Sequence, residues 1–211
     1  MKKLFIIDLM PFLYRGHFVF LKSPRMTSTG INTSALLGFA NGVTSILKDF
    51  SPTHAVLAMD PGGPTFRHEA YPPYKAQRQK MPEDLAASIP YAFELAEALR
   101  IPVLRQEGFE ADDVMGTLAV RAAAEGFDVY LATPDKDAAQ LGALGAEVEE
   151  RPDGFTVRGG TLKGGTARAN GDHRLAMSMA ICGLRTPVAV EGAEILNESF
   201  PEFEPLLSSL R

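Results

Sequence analysis

The 211-residue chain is poor in the residues that usually announce a covalent or metal-sulfur scaffold. It has one cysteine, Cys182, so no disulfide can form within it. A lone thiol fits a reducing compartment, and the expected location is cytoplasmic. There are only four histidines, none paired at ligand spacing, and this argues against zinc. Long apolar runs are missing too. Leu4-Phe5-Ile6-Ile7 follows two lysines but is ended by Asp8, too soon for a signal peptide. No run approaches ~18 apolar residues, so no membrane span or membrane partner is expected. An excess of positive charge is also lacking. The formal charge is −5, whereas nucleic-acid binders are more often basic overall. No internal repeat is evident.

What is present reads as a soluble globular chain. Hydrophobic residues make up 45% and charged residues 22%, enough for one domain, or one domain with a small appended piece. Leu4–Ile7, Ala55–Met59 and Val129–Ala132 are short runs that are apolar throughout, as in strands covered on both faces. Helical spacing lies between them, over Ala35–Lys48, Ile89–Leu99 and Asp112–Glu125. Pro82-Glu83-Asp84 has the form of a helix start, with acids near the positive end of the dipole. This alternation predicts an α/β fold with a mainly parallel sheet flanked by helices. Tyr71–Met81, with two prolines, two tyrosines and several cations, reads as an excursion from the sheet, and residues 61–82 as an arch-like segment. From Arg67 to Lys80 four basic residues (Arg67, Lys75, Arg78, Lys80) face one acid, Glu69. After Leu141 the texture changes. Six glycines fall between residues 154 and 171, followed by a helical pattern over Arg174–Leu184, a strand over Val188–Val190 and a helix over Phe203–Leu210.

The acids carry the chemistry. Asp8 and Asp60 each close an apolar run, and Asp135 and Asp137 follow a third. Ligands of an open parallel sheet sit at the carboxyl ends of its strands, so these acids are expected at one edge. Glu110, Asp112 and Asp113 open a helical pattern after Gly108, and residues three apart share a helix face. Seven carboxylates aimed at one region repel one another and should each bind protons more tightly, a penalty that bound Mg2+ or Mn2+ removes. Two such ions roughly 4 Å apart can activate water and stabilise the leaving oxygen of a phosphodiester.

Several motifs together resemble the flap-endonuclease group of 5′-nucleases, which includes the nuclease domain of bacterial DNA polymerase I. They are Ile7-Asp8 with Tyr14-Arg15, Ala58-Met59-Asp60, Thr65-Phe66-Arg67-His68-Glu69, Tyr74-Lys75-Ala76-Gln77-Arg78, Glu110-Ala111-Asp112-Asp113 and Thr133-Pro134-Asp135-Lys136-Asp137. The resemblance covers residues 1–142 and implies a PIN-like nuclease core that cleaves DNA near a 5′ end or 5′ flap. It implies a first metal cluster at Asp8, Asp60, Glu110 and Asp112, extended toward a second, weaker site by Asp113, Asp135 and Asp137. It assigns Lys75, Arg78 and Asp112 to catalysis, and Arg15, Arg67, Lys75, Arg78 and Lys80 to DNA. Two departures stand out. Leu9 occupies a position commonly held by glycine, and the likeness stops after Gln140-Leu141, before further acids and a duplex-gripping helical element.

Residues 143–211 resemble the C-terminal end of 5-enolpyruvylshikimate-3-phosphate synthase. The carrying residues are Gly145-Ala146-Glu147-Val148, Pro152-Asp153-Gly154-Phe155, Gly171-Asp172-His173-Arg174 and Ser199-Phe200-Pro201-Glu202-Phe203. That likeness implies an anion contact at Arg174 within a small appended α/β segment. Glu198 stands where that family often has lysine, and the opposite wall of the synthase cleft is missing. The chain thus reads as two fragments joined near residues 141–145. The expected function is a divalent-metal-dependent 5′-nuclease, weakened by the missing downstream elements. The alternatives are a non-catalytic DNA- or metal-binding module and an enolpyruvyl transferase fragment.

Overall fold

The structure is a computed structural model and describes residues 2–70, 74–75, 80–133, 142–151, 154–158 and 161–209. Contacts divide the chain into two compact units, Met1–Pro134 and Asp135–Arg211, a division slightly ahead of the 142/143 boundary expected from the sequence.

The first unit is built on four parallel strands: β1 (Lys2–Asp8), β2 (His54–Ala58), β3 (Val103–Leu104) and β4 (Phe127–Thr133), in the order β3-β2-β1-β4. Leu4 through Ile7 are buried because both faces of the sheet are covered. Phe5 and Ile7 point into a core shared with α1 (Leu9–Val19), α2 (Ser34–Phe50) and α4 (Glu83–Ala98), through Leu13, Phe39, Val43, Leu85 and Ala92. Leu4 and Ile6 point the other way, toward Ala111, Met115 and Ala122 of α5 (Ala111–Ala124). One period-2 run of apolar residues therefore serves two cores. This is the α/β arrangement that the strand–helix alternation predicts.

Three elements of this unit lie outside the sequence expectations. Helix α1 follows β1 directly. Pro11, its third residue, is tolerated because first-turn amides have no partner within the helix. A short helix, α3 (Phe66–Ala70), forms inside the segment expected to be an excursion. The third is β3, only two residues long. Helix α4 begins at the helix start expected at Pro82-Glu83-Asp84, ahead of the periodic stretch from Ile89, and runs through Pro90, its buried face being Leu85, Ser88, Ala92 and Ala96. Helices α1 and α2 meet backbone to backbone. A Cβ on Gly38 would lie 2.4 Å from the Gly16 Cα, so neither position has room for a side chain.

The second unit contains an antiparallel hairpin, β5 (Glu147–Arg151) and β6 (Gly154–Arg158), and a parallel pair, β7 (Gly165–Arg168) and β8 (Val188–Glu191). The parallel pair is connected through α6 (His173–Cys182), whose Leu175 and Met179 pack on Leu144 and Ala167. Its Ala176 packs with Ala169, Leu196 and Phe203. A short helix over Leu196–Ser199, absent from the sequence reading, precedes the last one, Phe203–Ser208. No helix among the described residues is long and apolar enough to cross a membrane.

Candidate metal and nucleic-acid site

The parallel register places Asp8, the last residue of β1, opposite Ala58, the last residue of β2. Asp60 lies two residues beyond, past the bond from the Met59 amide to the Leu104 carbonyl. Its Oδ1 accepts the Ala111 amide at 2.7 Å. That bond ties the carboxyl end of β2 to the first residue of α5. Glu110 is the N-cap of this helix, in extended conformation, with Asp112 and Asp113 in the first turn. Asp113 Oδ2 accepts the Glu110 amide at 2.9 Å. Acids gather here because free amides and the positive end of the helix dipole favour them. Asp8, Asp60, Glu110, Asp112 and Asp113 thus share the carboxyl edge of the sheet, where the sequence reading expected them. Asp135 and Asp137 lie outside the described residues.

The same edge carries its own cations. Thr65 is buried and pairs with Gly108, a glycine at φ 80°, in a parallel bridge. The Phe66 amide donates to the Gly108 carbonyl at 2.9 Å. His68 Nδ1 accepts the Thr65 amide at 3.0 Å. These contacts set α3 against the start of α5. Arg67 then donates from Nη1 to Asp113 Oδ2 at 2.6 Å and from Nη2 to Asp113 Oδ1 at 2.8 Å. It also lies over the Phe66 ring, 4.5 Å from its centroid. Lys75 Nζ donates to Glu110 Oε1 at 2.7 Å, and the Tyr74 hydroxyl donates to Glu110 Oε2 at 3.0 Å.

These pairings reverse the proton affinities expected from clustered acids. Burial pushes the Glu110 carboxyl up, but the bonds from Lys75 and Tyr74 outweigh it, and the group is held below the usual carboxylate range. Asp113 is lowered as well, chiefly by Arg67. Burial also opposes the charge on Lys75, yet Glu110 raises its pKa. For Tyr74, burial and the bond to Glu110 both raise the hydroxyl. The sequence-based expectation of raised carboxyl pKa values is therefore corrected for Glu110 and Asp113. It counted like charges and not the arginine and lysine that fold onto them.

The remaining residues are placed as follows. Arg15 is exposed on α1 and Lys80 is exposed before α4. Arg78 lies outside the described residues. Tyr74, which sequence reasoning assigned no role, is the second donor to Glu110. The ion pairs join residues 46 and 35 positions apart, and no local pattern announces such partners. In the second unit Arg174 is exposed, its guanidinium 3.6 Å from Asp172. Asp172 Oδ1 accepts the Arg174 and Leu175 amides at 2.8 and 3.3 Å. The helix start at which an anion was expected is thus already capped by a carboxylate.

In kind, the acid edge suits a hard divalent cation: every candidate donor is a carboxylate oxygen and none is sulfur or imidazole. In arrangement, Glu110 and Asp113 are turned onto Lys75, Tyr74 and Arg67. Among the described residues no group of three or more His, Cys, Asp or Glu side chains is set to hold a metal ion.

Residues 3–150 match the sequence model of the 5′-3′ exonuclease N-terminal resolvase-like domain, and residues 136–207 match that of EPSP synthase (3-phosphoshikimate 1-carboxyvinyltransferase). DNA polymerase I of Treponema pallidum is 42% identical over 140 residues, covering 66% of this chain and 14% of that polymerase. DNA polymerase I of Bacillus caldotenax is 41% identical over 156 residues, covering 74% of this chain and 17% of the polymerase. The chain therefore spans less than a fifth of the length of these relatives. Among solved structures, T5 5′-exonuclease with bound divalent metal ions (zinc) shares the fold. Its TM-score is 0.51 at 24% identity, covering 66% of this chain and 51% of the T5 chain.

Proposed function

The chain belongs to the 5′-3′ exonuclease N-terminal-domain family, and on that footing we propose that its first unit hydrolyses DNA phosphodiesters near 5′ ends or 5′ flaps with a divalent cation bound. The observation that carries the reading is the bond from the Ala111 amide to Asp60. It brings the acid after β2 to the helix start that bears Glu110 and Asp112, on the edge that also holds Asp8. An edge of this kind is where an open parallel sheet binds its ligands.

Asp8, Asp60, Glu110 and Asp112 hold the ion in this reading, with Asp113, Asp135 and Asp137 extending toward a second, weaker one. Mg2+ or Mn2+ supplies a Lewis acid to the phosphodiester and raises the acidity of the attacking water. Lys75 and Arg78 contact the scissile phosphate and its neighbour. Arg15, Arg67 and Lys80 add a cationic path for the strand. Residues 143–211 stand where the family continues with further acids and a duplex-gripping element, so in this reading the second ion is weakly held and cleavage is slow and less selective for flaps.

The test is cleavage of a labelled 5′-flap DNA across a Mg2+ and Mn2+ series, comparing the parent with Asp112→Ala. Metal-dependent cleavage by the parent, abolished in Asp112→Ala, is the expected result. Equal cleavage by both proteins refutes the assignment. No cleavage by either, with metal binding seen by calorimetry, leaves a non-catalytic metal- or DNA-binding unit.

A further inference from the structure

Glu110 is assigned as a metal ligand and Lys75 as a phosphate contact, yet each has its charged group committed to the other. Glu110 Oε1 takes the Lys75 ammonium at 2.7 Å, and Oε2 takes the Tyr74 hydroxyl at 3.0 Å. An ammonium and a divalent cation sharing that carboxylate oxygen repel each other at close range. A lysine tied to a carboxylate is equally kept from a phosphate. The two proposed roles therefore exclude one another in this conformation and become available together once the bond breaks.

We infer that Lys75, with Tyr74, is the resident counter-ion of Glu110, and that uptake of a divalent cation at Glu110 exchanges it out, so that metal loading releases Lys75 toward a substrate phosphate. This deepens the nuclease reading and rests on it. Three features support the exchange. The acid's charge is compensated both before and after it, so neither state leaves a bare carboxylate. Lys75 makes this bond from φ 55°, a left-handed conformation that side-chain-bearing residues adopt at a cost. The neighbouring pair is built differently. Arg67 holds both oxygens of Asp113, one of which also caps the Glu110 amide, so that side of the site stays in place while Lys75 leaves.

The experiment is calorimetric titration of Mn2+ into the full chain at constant ionic strength, for the parent, Lys75→Met and Lys80→Met. Circular dichroism confirms that each is folded. Lys75→Met removes the competitor but keeps an unbranched stem, and it should bind Mn2+ roughly tenfold more tightly than the parent, as expected when a hydrogen bond to a charged group need not be broken. Lys80→Met removes the same charge without touching Glu110 and should stay within about twofold of the parent, as for an exposed charge. A second readout uses the parent alone: hydrogen exchange at the Tyr74 and Lys75 amides should accelerate when Mn2+ is added. Equal affinity in the parent and Lys75→Met, or an equal gain in Lys80→Met, overturns the exchange while the metal reading stands. Slower exchange at Tyr74 and Lys75 on metal addition also overturns it. Absence of Mn2+ binding in all three proteins overturns both the exchange and the metal reading.

Discussion

Arg67 and Asp113 are joined by two charge-assisted bonds of 2.6 and 2.8 Å, with side chains 30% and 23% exposed. Exposed ion pairs contribute ~0.2–1 kcal/mol, and hydrogen bonds to charged groups out of water ~1.5–3 kcal/mol. A bidentate pair at intermediate exposure should therefore couple by about 1–2 kcal/mol. The assay is a double-mutant cycle of urea unfolding in EDTA at neutral pH: parent, Arg67→Met, Asp113→Asn and the double variant. Methionine keeps a stem near the Phe66 ring, and asparagine keeps an oxygen that can accept the Glu110 amide, so the cycle isolates the ion pair. The pH dependence has a definite sign. The Asp113 carboxyl is held below its ordinary value, chiefly by Arg67. Its stabilisation is fully present above the unfolded aspartate value and is lost as the pH falls through the lowered folded value. The gap in stability between parent and Arg67→Met should accordingly close on acidification. A coupling near zero at neutral pH would refute this reasoning, as would a gap that persists unchanged in acid.

Two further outcomes follow from packing and capping. Gly38→Ala places a Cβ 2.4 Å from the Gly16 Cα, which is backbone and cannot yield, so α1 and α2 must separate. Overpacking of about 1–3 kcal/mol should exceed the ~1 kcal/mol that alanine adds to a helix, and a parent-like urea midpoint would refute the steric argument. In the second unit, Asp172→Ala removes the cap on the Arg174 and Leu175 amides and should cost about 1 kcal/mol. Those amides also hold the Asp172 carboxyl low, the Leu175 bond foremost, so its contribution disappears as the pH falls through that lowered value. Thermal melts followed by circular dichroism, neutral and acid, check both the loss and its disappearance.

By itself the sequence determined the parallel core and the chemistry of its edge. Unbroken apolar runs in Leu4–Ile7 and Ala55–Met59 require cover on both faces, and an acid closing each run must then stand at the carboxyl end of a strand. That much is local, because strand period and helix capping act over a few residues. Helix α1 lies outside the sequence expectations, and it contains Pro11 and Gly16, two residues of low intrinsic helix propensity. The first falls in the turn where no amide bond is lost, and the second is required by Gly38, 22 positions away in the chain. The tertiary structure alone decided the charge state of the site. Arg67 and Lys75 look like solvated cations in the sequence, and Glu110 and Asp113 look like mutually repelling acids. The bridge between Thr65 and Gly108 seats α3 against α5 and sets Arg67 beside Asp113, while Lys75 reaches Glu110 from 35 positions away in the chain. The hydrogen bonds that Arg67, Lys75 and Tyr74 donate outweigh burial, and they lower the proton affinities that the acids on their own would raise.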